Sequence, residues 1–338
     1  MSILTPRPRS DAVARRAWLR LTVALPLAAI AAGTVGAQEF PARPVRLVVP
    51  FPPGGATDAV SRLAAEGLAP ALGQPVVVMN KAGAAGGIAS EFVANEPADG
   101  HTLLVAGQGQ MFINKALGQK LSYDPDGGFS YVGMLGAFPN VLVVNPEAIP
   151  VKSLAEFIQR AKDQPGKLSY GSNGVGSLSH LTTEVLASAA GVRFVHVPYQ
   201  GAAPQMADLL SGRIGFSVIA SQTVVSHVRD GKLRALAVST GNRFSGLPEV
   251  PTLVESGFPA LDVPVWFAVY APRATPAPAL AKLRSTFASV VATPAYQAGL
   301  TKISAQPLNV PVESADARFA TERAMWVDAV KRTGATGN

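Results

Sequence analysis

The sequence predicts an α/β fold, because short apolar segments of strand length alternate with longer amphipathic segments along most of the chain. Glycine and proline cluster between these segments, as in loops that join strands to helices. The 338 residues are 48% hydrophobic and 15% charged, a balance that excludes a disordered chain and allows two domains of ordinary size. We therefore expect largely parallel sheets covered by helices.

The predicted elements follow in order from residue 45. A first block alternates strands and helices at residues 45–50, 58–72, 76–79, 88–95 and 101–106. In a middle block, Ser153 and Glu156 have the spacing of a capping box and mark a helix start. Helices beginning near residues 177, 203 and 221 separate the strands that follow, at 168–171, 194–197, 214–220 and 233–238. One more strand and the tail helices are predicted at 263–270, 276–291, 294–302 and 314–331.

The middle block, about residues 142–260, is long enough to form an α/β unit of its own. The tail helices then have no strands to pack on unless the chain returns to the first block. We therefore predict a first domain of residues 38–141 and 263–338 and a second domain of residues 142–262, with crossovers near 138–142 and 262–266.

Residues 1–37 have the three parts of a secretory signal. A basic region ends at Arg20, an apolar stretch follows at 21–33, and small residues precede a predicted cleavage after Ala37. The arginine pair at 15–16 resembles a twin-arginine signal, and the sequence leaves both that route and the general secretory route open. We expect an exported mature protein.

Composition and charge exclude several classes of protein. The absence of cysteine removes disulfides, cysteine-ligated zinc, iron–sulfur clusters and a thiol nucleophile. Of the net charge of +7, the signal segment carries +4, so only +3 remains for the rest of the chain. Those basic residues are scattered, without the clusters and interleaved aromatic residues of nucleic-acid surfaces. A mild positive balance suits a small anionic ligand and not nucleic acid.

The chain also lacks the common catalytic and nucleotide-binding motifs. There is no P-loop, no dinucleotide fingerprint followed by an acidic residue, and no G-x-S-x-G nucleophile elbow. The four histidines are dispersed, without the spacing of a metal site. His180, one turn into a helix, is consistent both with a cleft position and with a structural one. We predict no catalytic residue, no metal and no cofactor.

The candidate binding residues lie in loops where strands hand over to helices, the usual ligand position in open α/β sheets. In the loop at 50–58, two prolines stiffen the chain, and Gly54 and Gly55 let a ligand approach the backbone. The helix start that follows leaves unpaired N–H groups and a partial positive charge, which together form an anion cradle. Thr57 and Asp58 are suited to capping this helix and to binding the ligand, and the two roles are compatible, so the sequence leaves both open.

Similar loops recur in both blocks. They lie at residues 80–87, 107–110, 170–177 and 197–202. Each glycine-rich loop alone is a weak signal, but several at strand-to-helix junctions of both blocks predict a cleft for a small anion. Phe51 and the side-chain amide of Gln108 belong to these loops.

Several segments together resemble one protein family. They are residues 40–55, 72–78, 97–100, 170–177, 197–199 and 231–237, and include Val-Pro-Phe-Pro-Pro-Gly-Gly at 49–55 and Tyr-Gly-Ser-Asn-Gly-Val-Gly-Ser at 170–177. In this order they are similar to the substrate-binding receptors of tripartite tricarboxylate transporters, the Bug family. The resemblance implies a two-domain type II periplasmic-binding-protein fold, with a hinge and a ligand cleft between the domains.

The resemblance also implies a function. It suggests a monomeric periplasmic receptor that binds a small carboxylate, needs no cofactor and serves the permease subunits of a tripartite tricarboxylate transporter. With the loop residues named above, it gives the following expected ligand-binding set: Phe51, Gly54, Gly55, Ala56, Thr57, Asp58, Gly86, Gly87, Gln108, Ser172, Asn173, Ser177, Tyr199, Gly201 and Ala202.

Some positions depart from the family pattern. Met79, Ala82, His101 and Gly215 replace the usual Glu, Pro, Tyr and acidic residue, so the identity of the carboxylate stays open. Two other functions also stay open. A receptor of this kind can report to a sensor kinase, and an exported enzyme could act on a small acid.

Overall fold

The computed structural model describes residues 1–3 and 40–336. The predicted signal, its arginine pair and the cleavage after Ala37 therefore lie outside the described residues. The elements of residues 40–336 are β1 (Val45–Val49), α1 (Ala56–Leu72), β2 (Val76–Asn80), α2 (Gly87–Ala94), β3 (Thr102–Gly107), β4 (Phe129–Phe138), β5 (Asn140–Val144), α3 (Leu154–Asp163), β6 (Ser169–Ser172), α4 (Leu178–Ala190), β7 (Val195–Pro198), α5 (Ala202–Leu210), β8 (Phe216–Ala220), α6 (Ser221–Arg229), β9 (Arg234–Val238), β10 (Val265–Pro272), α7 (Ala277–Val291), α8 (Pro294–Lys302) and α9 (Val312–Thr333). A short helical segment, Gly109–Ile113 continued by Asn114–Ala116, follows β3.

The strands form two five-stranded sheets of matching design. The first sheet has the order β2-β1-β3-β10-β4, and the second has the order β7-β6-β8-β5-β9. In each sheet three strands are parallel, the fourth strand runs antiparallel to them, and the fifth pairs antiparallel with the fourth. The parallel strands direct their carboxyl ends, and the loops that follow them, to one edge of each sheet.

The chain passes from one sheet to the other directly into the antiparallel strands. Pro139 alone separates β4 of the first sheet from β5 of the second. On the return, residues 239–264 connect β9 of the second sheet to β10 of the first. Since β5 and β10 run antiparallel to the parallel strands, they begin at the edge to which the loops after those strands point, and both passages lie beside this edge.

Helices bury both faces of each sheet. On the first sheet, α1 and α7 cover one face, with Val60, Ala64 and Phe287 in the shared core. The opposite face of the first sheet and one face of the second belong to a continuous core that includes Trp266. Helix α9 contacts β4 and α4, so the tail returns to the first sheet and also touches a helix that packs on the second.

The structure confirms the predicted alternation of strands and helices, but the adjacent strands β4 and β5 were not predicted. Every strand and helix predicted between residues 45 and 331 has a counterpart in the structure, with ends shifted by a few residues. Strands β4 and β5 form one apolar run whose residues are almost all buried, so the alternation that identifies a half-buried strand is absent. Gly133 and Gly136 inside β4, and Pro139 after it, further weaken the strand signal.

No helix within residues 1–3 and 40–336 combines the length and apolar character needed to cross a bilayer.

The buried side chain of Ser239 joins the two passages between the sheets. Its Oγ accepts from the Asn140 N–H at 3.0 Å and donates to the Val263 carbonyl at 3.3 Å. Ser239→Ala leaves the Asn140 N–H buried without an acceptor, so we expect a loss of about 1–3 kcal/mol in the free energy of unfolding, measured by urea denaturation. Ser285→Ala, on the exposed face of α7, is the matched control with an expected change within about 0.5 kcal/mol. Equal losses in the two variants would contradict this role.

Candidate functional site

A cavity of about 490 Å³ lies where the loops after the parallel strands of both sheets meet. This volume is within the range of small-molecule sites. None of its lining residues among residues 1–3 and 40–336 carries a charged side chain, and seven of them are Asn or Gln. The lining consists of Phe51, Ala56, Ala85, Gly107, Gln108, Gly109, Gln110, Ile113, Asn114, Leu117, Gln119, Asn140, Asn173, Val175, Gly176, Ser177, Leu178, Ser179, Ala220, Gln222, Val265 and Phe267.

Three helices begin at this cavity. Ala56 is the first residue of α1, Ser177 is the N-cap of α4, and Ala220 is the N-cap of α6. A helix start presents N–H groups without intrahelical partners and the positive end of the helix dipole. Helix α1 belongs to the first sheet, and α4 and α6 belong to the second. The cavity can therefore attract an anion from two sides without a cationic side chain.

Asp58 fixes the first loop and does not line the cavity. Its Oδ2 accepts from Gly54 N at 3.0 Å and from Arg62 Nε at 2.9 Å. Its Oδ1 accepts from Arg62 Nη2 and from Asn80 Nδ2, both at 3.0 Å. Mainly the Arg62 hydrogen bond lowers the pKa of Asp58 to about 2. Asn80, in the second loop, also donates to the Phe51 carbonyl of the first loop at 3.0 Å. Through Asn80, the Asp58 carboxylate therefore connects the first loop to the second.

The second loop has an unusual backbone. Four consecutive residues have positive φ, namely Gly83 (+128°), Ala84 (+47°), Ala85 (+50°) and Gly86 (+91°). For the two alanines this conformation is strained. The Ala85 carbonyl accepts from Gln110 Nε2 at 2.8 Å and from Asn114 Nδ2 at 3.2 Å, which holds the strained peptide in place.

Gly86 is required for packing at this loop. A Cβ built on Gly86 would lie 2.4 Å from Gln110 Nε2, so a larger residue would displace the side chain that supports Ala85. Lys81, the only cation among the candidate loops, places its Nζ 4.1 Å from the centroid of the Phe92 ring and is not part of the cavity lining.

Gln108 lines the cavity, but its amide is used within the protein. Its Nε2 donates to the Pro264 carbonyl at 2.6 Å, and its Oε1 accepts from Trp266 N at 3.4 Å. The side chain is 1% exposed. Gln108 therefore holds the second passage between the sheets against β3.

In the fourth loop, serine hydroxyls close a tight turn before α4. Ser172 Oγ donates to the Gly174 carbonyl at 3.0 Å and accepts from Gly174 N at 3.1 Å. Ser177 Oγ caps α4 by accepting from His180 N at 3.4 Å, and it also donates to the Gly174 carbonyl at 2.7 Å. These bonds present Asn173 and Ser177 to the cavity.

Ser172 also lies 2.6 Å from His196 Nε2, a distance that a nucleophile and its base would show. Two observations argue against that role. The Ser172 side chain is fully buried, and its hydroxyl already bonds both polar groups of Gly174. The contact therefore anchors the loop to β7.

Two histidines that are far apart in sequence stack face to face behind this loop. The ring centroids of His180 and His196 are 4.0 Å apart with an interplanar angle of 8°. His180 Nδ1 accepts from Gly176 N at 3.0 Å, so the neutral ring holds a residue that lines the cavity. Burial lowers the pKa of His180 to about 4, and burial together with the neighbouring His180 lowers the pKa of His196 to about 4.

The expected ligand-binding residues fall into two groups in the structure. Phe51, Ala56, Gln108, Asn173 and Ser177 line the cavity together. Those outside the lining, among the described residues, support the loops or lie beside them: Gly54, Gly55, Thr57, Asp58, Gly86, Gly87, Ser172, Tyr199, Gly201 and Ala202. The hydroxyl of Tyr199, for example, donates to Asp208 Oδ2 at 2.8 Å. Ligand contact by any of these residues stays a prediction.

Gln110 belongs to the predicted loop at 107–110, although it was not in the expected ligand-binding set, and it lines the cavity. Sequence reasoning missed several other lining residues. Asn114 and Gln119 lie in or after the short helical segment that follows β3. Asn140 lies at the first passage, and Gln222 lies in the first turn of α6. The strand-to-helix junction at Ala220 has no glycine-rich loop, which was the signal used to find the others.

A second cavity of about 410 Å³ is unrelated to these loops. Residues of β4, α7 and α8 and the segment 307–312 line it, and most of them are apolar. No expected ligand-binding residue is among them. Within residues 1–3 and 40–336, no three His, Asp or Glu side chains are grouped so that they could hold a metal ion.

Comparisons with known proteins agree with this architecture. The model of a family described as tripartite tricarboxylate transporter family receptor matches residues 60–334. BugT of Bordetella pertussis is 35% identical over 305 residues, which are 90% of this chain and 93% of BugT.

Two solved structures of Rhodopseudomonas palustris proteins are also similar. The one solved with adipate is 34% identical with a TM-score of 0.75, covering 88% of this chain and 99% of its own. MatC, solved with bound malate, is 33% identical with a TM-score of 0.70, covering 86% of this chain and 100% of its own. With the two mixed sheets, these similarities confirm the predicted two-domain type II periplasmic-binding-protein fold.

Asp58→Asn tests the positioning role of Asp58. The amide cannot accept from all four donors, so we expect the free energy of unfolding to fall by about 1–3 kcal/mol in urea denaturation. We also expect equal losses of affinity for plain carboxylates and for hydroxy- or amino-acids, because the oxygen atoms of Asp58 have protein donors already. A selective loss for hydroxy- or amino-acids, measured by calorimetry, would instead indicate direct contact with the ligand.

The histidine pair predicts a dependence of stability on pH. Both pKa values are about 4 in the folded protein and about 6.5 in the unfolded chain, so the unfolded chain binds more protons between these values. The free energy of unfolding should be independent of this pair above pH 6.5. It should fall as the pH drops from 6.5 to 4, by at most about 1.4 kcal/mol per pH unit for each histidine.

His180→Gln keeps an acceptor for Gly176 N and removes one titrating ring. Urea denaturation at a series of pH values should show a shallower slope for this variant between pH 6.5 and 4. An unchanged slope would show that His180 does not contribute.

Proposed function

The chain belongs to the tripartite tricarboxylate transporter receptor family, and from this premise we propose that it is an extracytoplasmic solute receptor that binds a small carboxylate and delivers it to membrane permease subunits. The observation that carries the proposal is the cavity at which α1, α4 and α6 begin and whose described lining has no charged side chain. Such a lining neither repels an anion nor neutralises it with an ion pair. It offers fixed donors, which suit a carboxylate.

The arrangement of the helix starts favours a ligand with an anionic group at each end. Helix α1 belongs to one sheet, and α4 and α6 belong to the other, so each carboxylate of a dicarboxylate can meet a helix start. Apolar side chains such as Phe51, Ile113 and Phe267 lie among the donors and suit the methylene groups between the carboxylates. Malate and adipate, which the two R. palustris proteins hold, are both dicarboxylates.

The proposal includes the domain organisation. The predicted division is residues 38–141 with 263–338 and residues 142–262, and its first boundary moves to Pro139 because Asn140 and Val141 belong to β5 of the second sheet. The ligand is enclosed when the two domains rotate about the passages between them. The division is supported by the passage of the chain between the sheets at Pro139 and again within residues 239–264.

The remaining parts of the proposal concern location, assembly and chemistry. The protein acts in the periplasm as a monomer after cleavage following Ala37, and it catalyses no reaction. The buried, doubly bonded hydroxyl of Ser172 supports this last point, since its contact with His196 is the described arrangement that most resembles a nucleophile and its base.

Calorimetry on the mature protein tests the function. Malate, succinate and adipate are the probes, and butyrate and hexanoate are the matched monocarboxylates. We expect at least one dicarboxylate to bind at least tenfold more tightly than the monocarboxylate of equal length, because only the dicarboxylate meets helix starts of both sheets. The absence of binding by every probe, or equal binding of the paired acids, would contradict the proposal.

Two variants of the same protein test the backbone cradle. Gly55 has φ −84° and ψ 175°, and a Cβ built there has its nearest contact, with the Pro52 carbonyl, at 4.0 Å. Gly55→Leu should therefore leave the melting temperature of the empty protein unchanged while blocking approach to the start of α1. Lys81→Met is the control and should change affinity by a modest factor, since Lys81 lies against Phe92. Loss of binding in Lys81→Met alone would rule out the cradle.

A further inference from the structure

Asn140 is the residue at which the chain enters the second sheet, and it lines the cavity. It follows Pro139 directly, begins β5 and is 3% exposed. Its main chain is anchored, because its N–H donates to Ser239 Oγ at 3.0 Å and its carbonyl accepts from Ser239 N at 2.9 Å. Both backbone polar groups of Asn140 are therefore hydrogen-bonded within the protein, and only its side-chain amide is available for another role.

The side-chain amide of Asn140 differs from the other buried amides of the cavity. Nε2 of Gln108, Nε2 of Gln110 and Nδ2 of Asn114 each donate to a backbone carbonyl, at 2.6, 2.8 and 3.2 Å. Within the described residues, Nδ2 of Asn140 has no acceptor. This nitrogen is itself buried, while the Asn140 residue lines the cavity. Native proteins pair the large majority of buried polar groups, so an unpaired amide beside a cavity indicates a missing partner.

The start of α6 lies beside this amide. Asn140 pairs with Ala220, the N-cap of α6, in the register of β5 and β8. Ser221 N donates to the Pro139 carbonyl at 2.8 Å, which anchors the first turn of α6 to the passage between the sheets. Gln222, the next residue, also lines the cavity. The Asn140 side chain and a helix start therefore adjoin at one point of the cavity wall.

We propose that Asn140 and the first turn of α6 form a carboxylate subsite, in which the Asn140 amide turns about its Cβ–Cγ bond and donates through Nδ2 to an oxygen of the bound ligand. This rests on the proposed function, since it assigns one end of the ligand to a position within the cavity. An amide N–H₂ group is a donor, so the ligand atom that it meets is an acceptor. A carboxylate or hydroxyl oxygen satisfies this condition, whereas an ammonium group does not.

The subsite also links the ligand to the passage between the sheets. Asn140 and Ser239 share two hydrogen bonds, and Ser239 bonds Val263 of the return passage through its Oγ and its carbonyl. A ligand oxygen held by Asn140 would therefore lie beside Pro139 and Ser239, in the segments about which we propose that the domains rotate. Residues of the glycine-rich loops do not have this position.

Asn140→Leu and Asn140→Asp test the subsite, with malate and adipate as probes in calorimetry. Leucine has a similar volume and no donor, and aspartate has the same shape with a negative charge facing the ligand. We expect about a tenfold loss of affinity in Asn140→Leu, for whichever probe the wild type binds, and a larger loss in Asn140→Asp. Unchanged affinity in both variants would overturn the proposal.

The melting temperature of the empty protein gives a second readout that needs no ligand. Asn140→Leu removes an unpaired buried donor, so its melting temperature should equal or exceed that of the wild type. Asn114→Leu is the matched control in the same cavity, and its melting temperature should fall because it loses the hydrogen bond to Ala85.

A fall in Asn140→Leu as large as in Asn114→Leu would overturn the inference, since it would show that the amide is paired within the protein. If the wild type binds none of the dicarboxylates, the proposed function fails. The melting temperatures still decide whether Asn140 presents an unpaired donor.

Discussion

The hydrogen bonds of Ser239 connect the two segments by which the chain passes between its sheets. Ser239 exchanges two bonds with Asn140 on the outward passage and two with Val263 on the return. The two passages are thus neighbours, although Val263 lies 123 positions after Asn140 in the sequence. This connection determines how the two sets of loops face each other, and the cavity depends on that relation. It also concentrates any rotation between the domains in a few residues.

The electrostatic design of the cavity follows from where the charges are placed. Asp58 and Arg62 form an ion pair outside the cavity lining, and Lys81 lies against Phe92. The cavity wall is left with helix starts and amide groups, whose partial charges are fixed by the backbone and by packing. An arginine or lysine in the cavity would have to be ordered and desolvated when an anion binds. Fixed dipoles avoid that reorganisation, and they select a ligand by the positions of its oxygen atoms.

The sequence predicted the fold and several of the loops because both depend on local patterns. The alternation of strands and helices, the glycines after β1 and the serine cap of α4 are properties of short segments. The sequence could not distinguish capping from ligand binding at Asp58. The role of this carboxylate depends on its hydrogen bonds with Arg62 and Asn80, which form only in the folded chain. Asn140 was missed for a related reason. In the sequence it is one polar residue in an apolar run, and its position is meaningful only when β5 is known to enter the second sheet.

The roles of the histidines also depend on contacts that form only in the folded chain. His180 and His196 are dispersed in sequence and stack only because β6 and β7 are parallel neighbours, with Tyr170 opposite His196, and α4 follows β6. Neither the ring stacking nor the contact with Gly176 has a signature in residue spacing. Local patterns therefore predicted which loops form the cavity, but not the residues behind them that hold the loops in place.

Two features at the cavity are unfavourable for stability. The backbone of Ala84 and Ala85 is strained, and Asn140 keeps a buried donor unpaired. The strain at Ala85 is offset within the protein by Gln110 and Asn114, so it fixes the shape of the loop before a ligand arrives. Within the described residues, the donor of Asn140 has no such compensation. An unpaired donor raises the free energy of the empty state relative to the bound state, so the same amide that lowers stability increases the affinity for an acceptor placed against it.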